Sequence, residues 1–217
     1  MTHGRWLRQS APRRRIFAKK RKVVGRPPVL DNQAQRSATQ RQRNAEVAMS
    51  SSVGPMERAA FVSRFGGVFE HSPWIAEAVY EASAGRPPLS ADALHAAMCA
   101  VFRGAGRARQ LDVVRAHPDL AGRLALAGGL TAESTAEQRS AGLDQCSPAE
   151  LRRFTELNDA YQARFGFPFI MAVKGRPRAE ILAAFERRLA NDAETELATA
   201  LDEIERIAAL RLAELCR

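Results

Sequence analysis

The chain of 217 residues contains four histidines, His3, His71, His95 and His117. Imidazole is the side chain whose unperturbed pKa lies nearest neutrality, so these four bound the candidates for histidine general acid or base work. His3 stands in an arginine-rich tail, and His95 falls within an apolar helical pattern, where it reads as a packed side chain. His71 precedes Ser72-Pro73 and reads as a turn residue. His117 lies in Arg115-Ala-His117-Pro118-Asp119-Leu120-Ala-Gly122. The proline after it fixes the backbone at a helix end, a rigid mount for a side chain that must be held in place.

Two further segments could do chemistry. In Ser134-Thr-Ala-Glu137-Gln138 the spacing fits a capping box, in which Ser134 accepts from the Glu137 amide and Glu137 reaches back, worth about 1 kcal/mol to the helix. The same geometry leaves free amides at a helix N-terminus that would receive an anionic group, with Glu137 and Gln138 beside it. Gln138 has no capping role at that offset. The run Asn158-Asp-Ala-Tyr161-Gln-Ala-Arg164-Phe165-Gly166-Phe167-Pro168-Phe169-Ile170 begins as helix, with Gly166 as its C-cap. Phe167 to Val173 is then a short extended apolar run in a helical chain. One strand cannot build a sheet. Its buried backbone groups need partners other than a ladder, and a flat ligand with polar edges would supply them.

The elements that must position these residues are helical. Phe61, Val62, Phe65, Val68 and Phe69 recur at helical intervals, broken by Gly66-Gly67 and Pro73 into short pieces. A helix through Trp74, Ile75, Ala78 and Val79 stops near Gly85. Ser90 or Asp92 caps the next, which carries Leu94, Met98, Val101 and Phe102 on one face. Ala108 to Ala116 is a further helix, ended by Pro118. A turn at Gly128-Gly129 precedes a helix entered around Ser134 and running to about Leu143. Ser147-Pro148-Ala-Glu150 is a clean helix start, followed by Leu151, Phe154, Leu157 and Tyr161. After Gly175-Arg-Pro177, Ile181, Leu182, Phe185 and Leu189, then Leu197, Leu201, Ile204, Ile207 and Ala208, keep the 3.6-residue period. The expected fold is all-α: a multi-helix bundle forming a single domain over residues 54–217, preceded by a disordered basic N-terminal extension over residues 1–53.

Charge supports that division. Residues 1–48 carry 13 Lys and Arg against two acids, which leaves 20 against 22 in residues 49–217. The overall charge of +9 therefore belongs to the tail, and the domain is mildly acidic. Read functionally, the tail is a nucleic-acid-binding arm or a transit segment; read blandly, it is a dispensable extension before Met49 or Met56. Cys99, Cys146 and Cys216 are widely spaced and have no histidines at ligand spacing, so neither a disulfide framework nor a metal site is expected. No apolar run approaches the roughly 18 to 20 residues that span a bilayer.

Four motifs then fall in a recognisable order: Phe65-Gly-Gly-Val-Phe69-Glu70-His71-Ser72-Pro73-Trp74, Ala116-His117-Pro118-Asp119-Leu120-Ala-Gly122, Ser134-x-x-Glu137-Gln138-x-x-Ala-Gly142-Leu143-Asp144 and Asn158-x-Ala-Tyr161-x-x-Arg164-Phe165-Gly166-Phe167-Pro168-Phe169-Ile170. Together, over about Pro55 to Leu215, they resemble the 2-oxo-4-hydroxy-4-carboxy-5-ureidoimidazoline (OHCU) decarboxylases of urate degradation. The resemblance implies a cytoplasmic helical enzyme, working without cofactor or metal, that converts OHCU to (S)-allantoin and carbon dioxide. It implies a homodimer as well. It places the catalytic histidine on His117, beside a substrate-contacting Pro118, and the family's Ser-x-x-Glu-Gln on Ser134, Glu137 and Gln138. Glu137 would orient His117 or the substrate's ureido group, and Gln138 would bond to a polar edge. The ring would rest on Phe169, Ile170, Met171, Ala172 and Val173. Arg211, in a looser motif of the last helix, matches a substrate-binding arginine.

Two other classes compete with this reading. A nucleic-acid-binding helical protein would work through the basic arm and lose salt-sensitive affinity when residues 1–48 are deleted, whereas the enzyme would keep full activity. The near-neutral domain, without aromatic residues interleaved among basic ones, is not expected to bind nucleic acid. A catalytically silent interaction module would have no use for the intact His117 and Glu137.

Overall fold

The structure, a computed structural model, describes residues 56–217 apart from Leu89, Arg123, Leu124 and Leu126. The extension expected over residues 1–53 lies outside the described residues. Among those described, regular structure consists of eight α-helices and one 3-10 turn, with no β-strand. In chain order they are α1 (Arg58–Phe65), α2 (Trp74–Ala82), α3 (Ala91–Gly104), α4 (Arg107–Ala116), α5 (Ala132–Ser140), the 3-10 turn (Leu143–Gln145), α6 (Pro148–Phe165), α7 (Arg178–Arg188) and α8 (Ala193–Leu215). No helix among the described residues is long and apolar enough to cross a membrane.

Several boundaries follow from local chemistry. Ser90 caps α3 by accepting from the Ala93 amide. Ser147 and Glu150 close a full capping box on α6 with Pro148 at the first helical position, and Gly166 ends that helix in the left-handed region at φ 76°. The start of α5 differs from the sequence expectation. Thr131 is its cap, accepting from the Ser134 amide, and the helix ends at Ser140 rather than near Leu143. Gly142, at φ 69°, turns the chain into the 3-10 segment. Ser134 thus sits inside the first turn, with its hydroxyl released from capping. Thr131 wins the cap because it is the residue with extended backbone, φ −60° and ψ 161°, which a cap requires.

Helix α8, 23 residues and therefore about 35 Å long, packs on α3, α1 and α4, while α2 joins α1 to α3 and α6 lies against α7. Buried Leu197, Ala200, Leu201, Ile204, Ala208 and Leu212 on α8 share the core with Leu94, Met98 and Phe102 of α3. A second part of the core is aromatic: Tyr161 meets Phe165, Phe169 and Phe185 at centroid distances of 4.7, 5.3 and 5.8 Å, and Phe169 stacks on Phe185 at 3.8 Å. This cluster grips the extended run after α6. Helix α8 also buries three charged residues, Glu196, Glu203 and Arg211. They lie seven and eight residues apart, about two turns each time, so all three emerge from one face. Each of them builds part of the site described next.

Candidate active site

His117 follows the last residue of α4, and its backbone is already extended at φ −73° and ψ 140°. That is the conformation Pro118 imposes on the residue before it. The ring is buried, and Nδ1 lies 2.9 Å from the Val113 carbonyl. Nδ1 must therefore carry the proton and donate it, which leaves the lone pair on Nε2. Burial pushes the imidazole pKa down to about 4. The Val113 carbonyl and the Glu70 charge oppose that shift, and Arg211 and His71 reinforce it. At neutral pH His117 is an uncharged base of fixed tautomer.

The loop after His117 is held by side chains from two helices. Gln138 of α5 accepts from the Ala121 amide at 3.0 Å and donates to the Asp119 carbonyl at 3.2 Å. Asn158 of α6 donates to the Leu120 carbonyl at 3.0 Å, and Gln162 donates to the Asp119 carboxylate at 2.8 Å. Ala121 sits at φ 50°, a conformation disfavoured for a residue with Cβ, and the Gln138 bond to its amide helps hold it there. Gly122 is required for space, since a Cβ there would come within 2.6 Å of the Asp119 Cβ. Gln138 is thus committed to the loop at both ends of its amide, a role its spacing gave no means of reading.

Beside this loop lies a charge cluster. Arg211 donates through Nε and Nη2 to the two oxygens of Glu137 at 2.7 and 2.9 Å, and its Nη1 lies 2.8 Å from a Glu70 oxygen. Glu70 also accepts from Thr131 at 2.8 Å and from Ser134 at 3.1 Å. Burial alone would raise the Glu70 carboxyl, but the Arg211 charge and the Thr131 hydroxyl outweigh it and hold it below its ordinary range. Burial alone would likewise lower the Arg211 pKa, and Glu137 and Glu70 outweigh that too. Two carboxylates facing one guanidinium beside a neutral imidazole give the cluster a formal charge of −1. Glu137 is oriented by Arg211, with no hydrogen bond to His117.

The extended run from Phe167 to Val173 makes no ladder, and charged side chains serve part of its backbone. Arg188 donates to the Ile170 carbonyl at 2.7 Å, Glu203 accepts from the Ala172 amide at 2.8 Å, and Arg176 donates to the Ala172 carbonyl at 3.0 Å. Arg188 is itself neutralised by Glu196, which receives its Nε and Nη2 at 2.8 and 2.5 Å together with the Tyr161 hydroxyl. The partners expected from a ligand are thus supplied in part by the protein. Among the described residues, the amides of Ile170, Met171 and Val173 have no hydrogen-bond acceptor.

These pieces enclose a cleft with about 330 Å³ of atom-free space, counting its opening to solvent. His117, Pro118 and Leu120 form one wall. Ser134, Glu137 and Gln138 line it from α5, Phe169, Ile170, Met171 and Val173 from the extended run, and Ile207 from α8. Of the residues singled out from sequence, Ala172 and Arg211 stand behind this lining. Arg211 bonds to the lining through Glu137 and Ser134. Sequence reasoning gave no role to Glu70, Thr131, Arg188, Glu196 or Glu203. For Glu70 there was a signal, an acid between Phe69 and Ser72-Pro73-Trp74 in an otherwise apolar stretch.

Residues 55–213 match the model of the OHCU decarboxylase family. A Haloferax volcanii 2-oxo-4-hydroxy-4-carboxy-5-ureidoimidazoline decarboxylase is 46% identical over 162 residues, spanning 75% of this chain and 92% of that protein. The protein of the same name from Bos taurus is 42% identical, over 75% of this chain and 94% of its own length. Among solved structures, one of an (S)-allantoin synthase superposes with a TM-score of 0.59 at 32% identity, covering 74% of this chain and 51% of that one. An OHCU decarboxylase determined in the presence of (S)-allantoin superposes with a TM-score of 0.53 at 26% identity, covering 65% and 89%. A buried neutral histidine, a paired glutamate and an extended backbone run around one cleft thus accompany likeness along the whole helical domain, and the chain belongs to the OHCU decarboxylase family.

Proposed function

We propose that this chain decarboxylates OHCU to (S)-allantoin and carbon dioxide in purine breakdown, with no cofactor. The observation that carries the reading is the free Nε2 of His117, a neutral base of fixed tautomer facing a cleft inside a chain of this family. The substrate supplies its own electron sink. When the C4–carboxylate bond breaks, its electron pair forms a double bond to C5, and the C5=N electrons move onto the ring nitrogen, which takes a proton from solvent. The C4 hydroxyl must then lose a proton and C5 must gain one. Nε2 of His117 accepts the hydroxyl proton and returns it to one face of C5, which fixes the product's handedness.

Each wall has a part in that scheme. The Glu137 carboxylate, an acceptor at the cleft surface, suits the N–H donors of the ureido group. Pro118 and the Phe169–Val173 run hold the ring, whose carbonyl meets amides of that run, and Ser134 and Gln138 complete the α5 wall. Arg211 acts through Glu137. Positioning of this kind is worth several kcal/mol of barrier, as much as the proton transfer itself. By likeness to the family, the working unit is a cytoplasmic homodimer, which sedimentation would check, and residues 54–217 are the functional domain.

The test is to generate OHCU freshly from urate, add the protein and follow circular dichroism as allantoin forms. (S)-Allantoin in enantiomeric excess, formed above the background rate, is expected. Racemic allantoin at the background rate refutes the activity, and wild-type turnover by His117→Ala refutes the role of the histidine.

A further inference from the structure

Glu70 and Glu137 share Arg211 but stand differently toward the cleft. Glu137 lines it and remains partly exposed, at 17% of its side chain, whereas the Glu70 side chain is 1% exposed and does not line it. Glu70 is also fixed from outside the pair, by the hydroxyls of Thr131, the cap, and Ser134, in the first turn, of the helix that carries Glu137 and Gln138. Glu137, apart from Arg211, has no other side-chain partner among the described residues. A buried guanidinium stripped of its counter-ion is costly. If Glu137 were the sole counter-ion, turning it toward a ligand would strand Arg211.

Resting on the proposed function, we infer that Glu70 is the permanent counter-ion of Arg211, a positioning residue that frees the Glu137 carboxylate to exchange from Arg211 to the ureido group when substrate binds. The arrangement separates two demands that one carboxylate cannot meet together. Glu70 keeps the cation neutralised in every state and ties α5 to α8, while Glu137 is held in place by a pair it can leave.

The test uses the full chain carrying Glu70→Gln or Glu70→Asp. Gln keeps the size and an acceptor but loses the charge, so ligand binding to this variant would leave Arg211 uncompensated. The KM for OHCU and the Kd for (S)-allantoin are each expected to rise about tenfold or more, equivalent to about 1.4 kcal/mol, with kcat changing less. Asp keeps the charge and packs less well. It should lower the melting temperature as much as Gln does, yet stay nearer to wild type in KM and Kd. If both variants lose stability while KM and Kd remain at wild-type values, Glu70 is only architectural and the inference falls. Background-rate racemic allantoin from the wild-type chain would remove the proposed function and this inference with it; an active wild type with an unaffected Glu70→Gln variant removes this inference alone.

Discussion

The extended run that lines the cleft depends on one buried ion pair, and Glu196→Gln tests how much. Glu196 is fully buried and Arg188 nearly so. One oxygen of Glu196 takes the Arg188 Nε and Nη2 at 2.8 and 2.5 Å with the Tyr161 hydroxyl, and the other takes the Asn191 amide at 2.7 Å. Every partner is a donor. A Gln amide would turn two N–H donors onto one of those groups and leave the Arg188 charge uncompensated, a change that costs about 3–5 kcal/mol. For a chain of this size that lowers the melting temperature by roughly 6–20 °C. Because the third nitrogen of Arg188 holds the Ile170 carbonyl, the run should also shift and turnover should fall. Urea denaturation followed by far-ultraviolet circular dichroism gives the free energy, and Arg188→Met/Glu196→Leu completes the comparison. The double variant should lose less than Glu196→Gln, because it strands no charge, while still losing some stability for the Ile170 carbonyl and the Tyr161 hydroxyl that it leaves unpaired. A Glu196→Gln variant within 1 kcal/mol of wild type, or a double variant worse than the single one, would refute the reasoning.

The remaining predictions concern the base and its loop. Because the folded pKa of His117 is about 4 against an ordinary 6.5, protonation favours the unfolded chain. The stability present above pH 6.5 is lost as pH falls toward 4, by about 3 kcal/mol in all. His117→Gln should flatten that part of the stability profile in denaturant titrations at successive pH values, and an unchanged slope would count against a neutral buried histidine. Gln138→Leu removes both bonds to the Asp119 carbonyl and Ala121 amide, and should cost about 1–3 kcal/mol and reduce turnover; wild-type kcat in a folded variant would show that the loop needs no such clamp. Gly122→Ala forces Asp119 aside and should lower kcat/KM for OHCU, whereas unaltered kinetics would mean the loop relaxes freely.

Sequence alone determined much of this protein. The apolar period of 3.6 and the capping signals at Ser90 and Ser147 give an all-helical chain, because caps and amphipathic faces are set by residues within one or two turns of each other. The pairing of His117 with Pro118 likewise gives a rigid helix end, a local property. Even here a local reading failed: Ser134, with Glu137 three residues on, fits a capping box, yet the folded backbone puts the cap of α5 at Thr131.

What tertiary structure alone decided is the destination of the charges. Nothing local marks Glu196, Glu203 and Arg211 as buried, since charged residues are rarely buried without partners. Arg188 stands eight residues before Glu196 on another helix, Glu203 takes the distant Ala172 amide as well as its neighbour Arg206, and Arg211 meets Glu70 and Glu137 from far-off segments. No periodicity links residues 70, 137 and 211. They meet because α5, the turn after α1 and α8 converge on one point, and the low dielectric there makes each charge tolerable only in the company of the others.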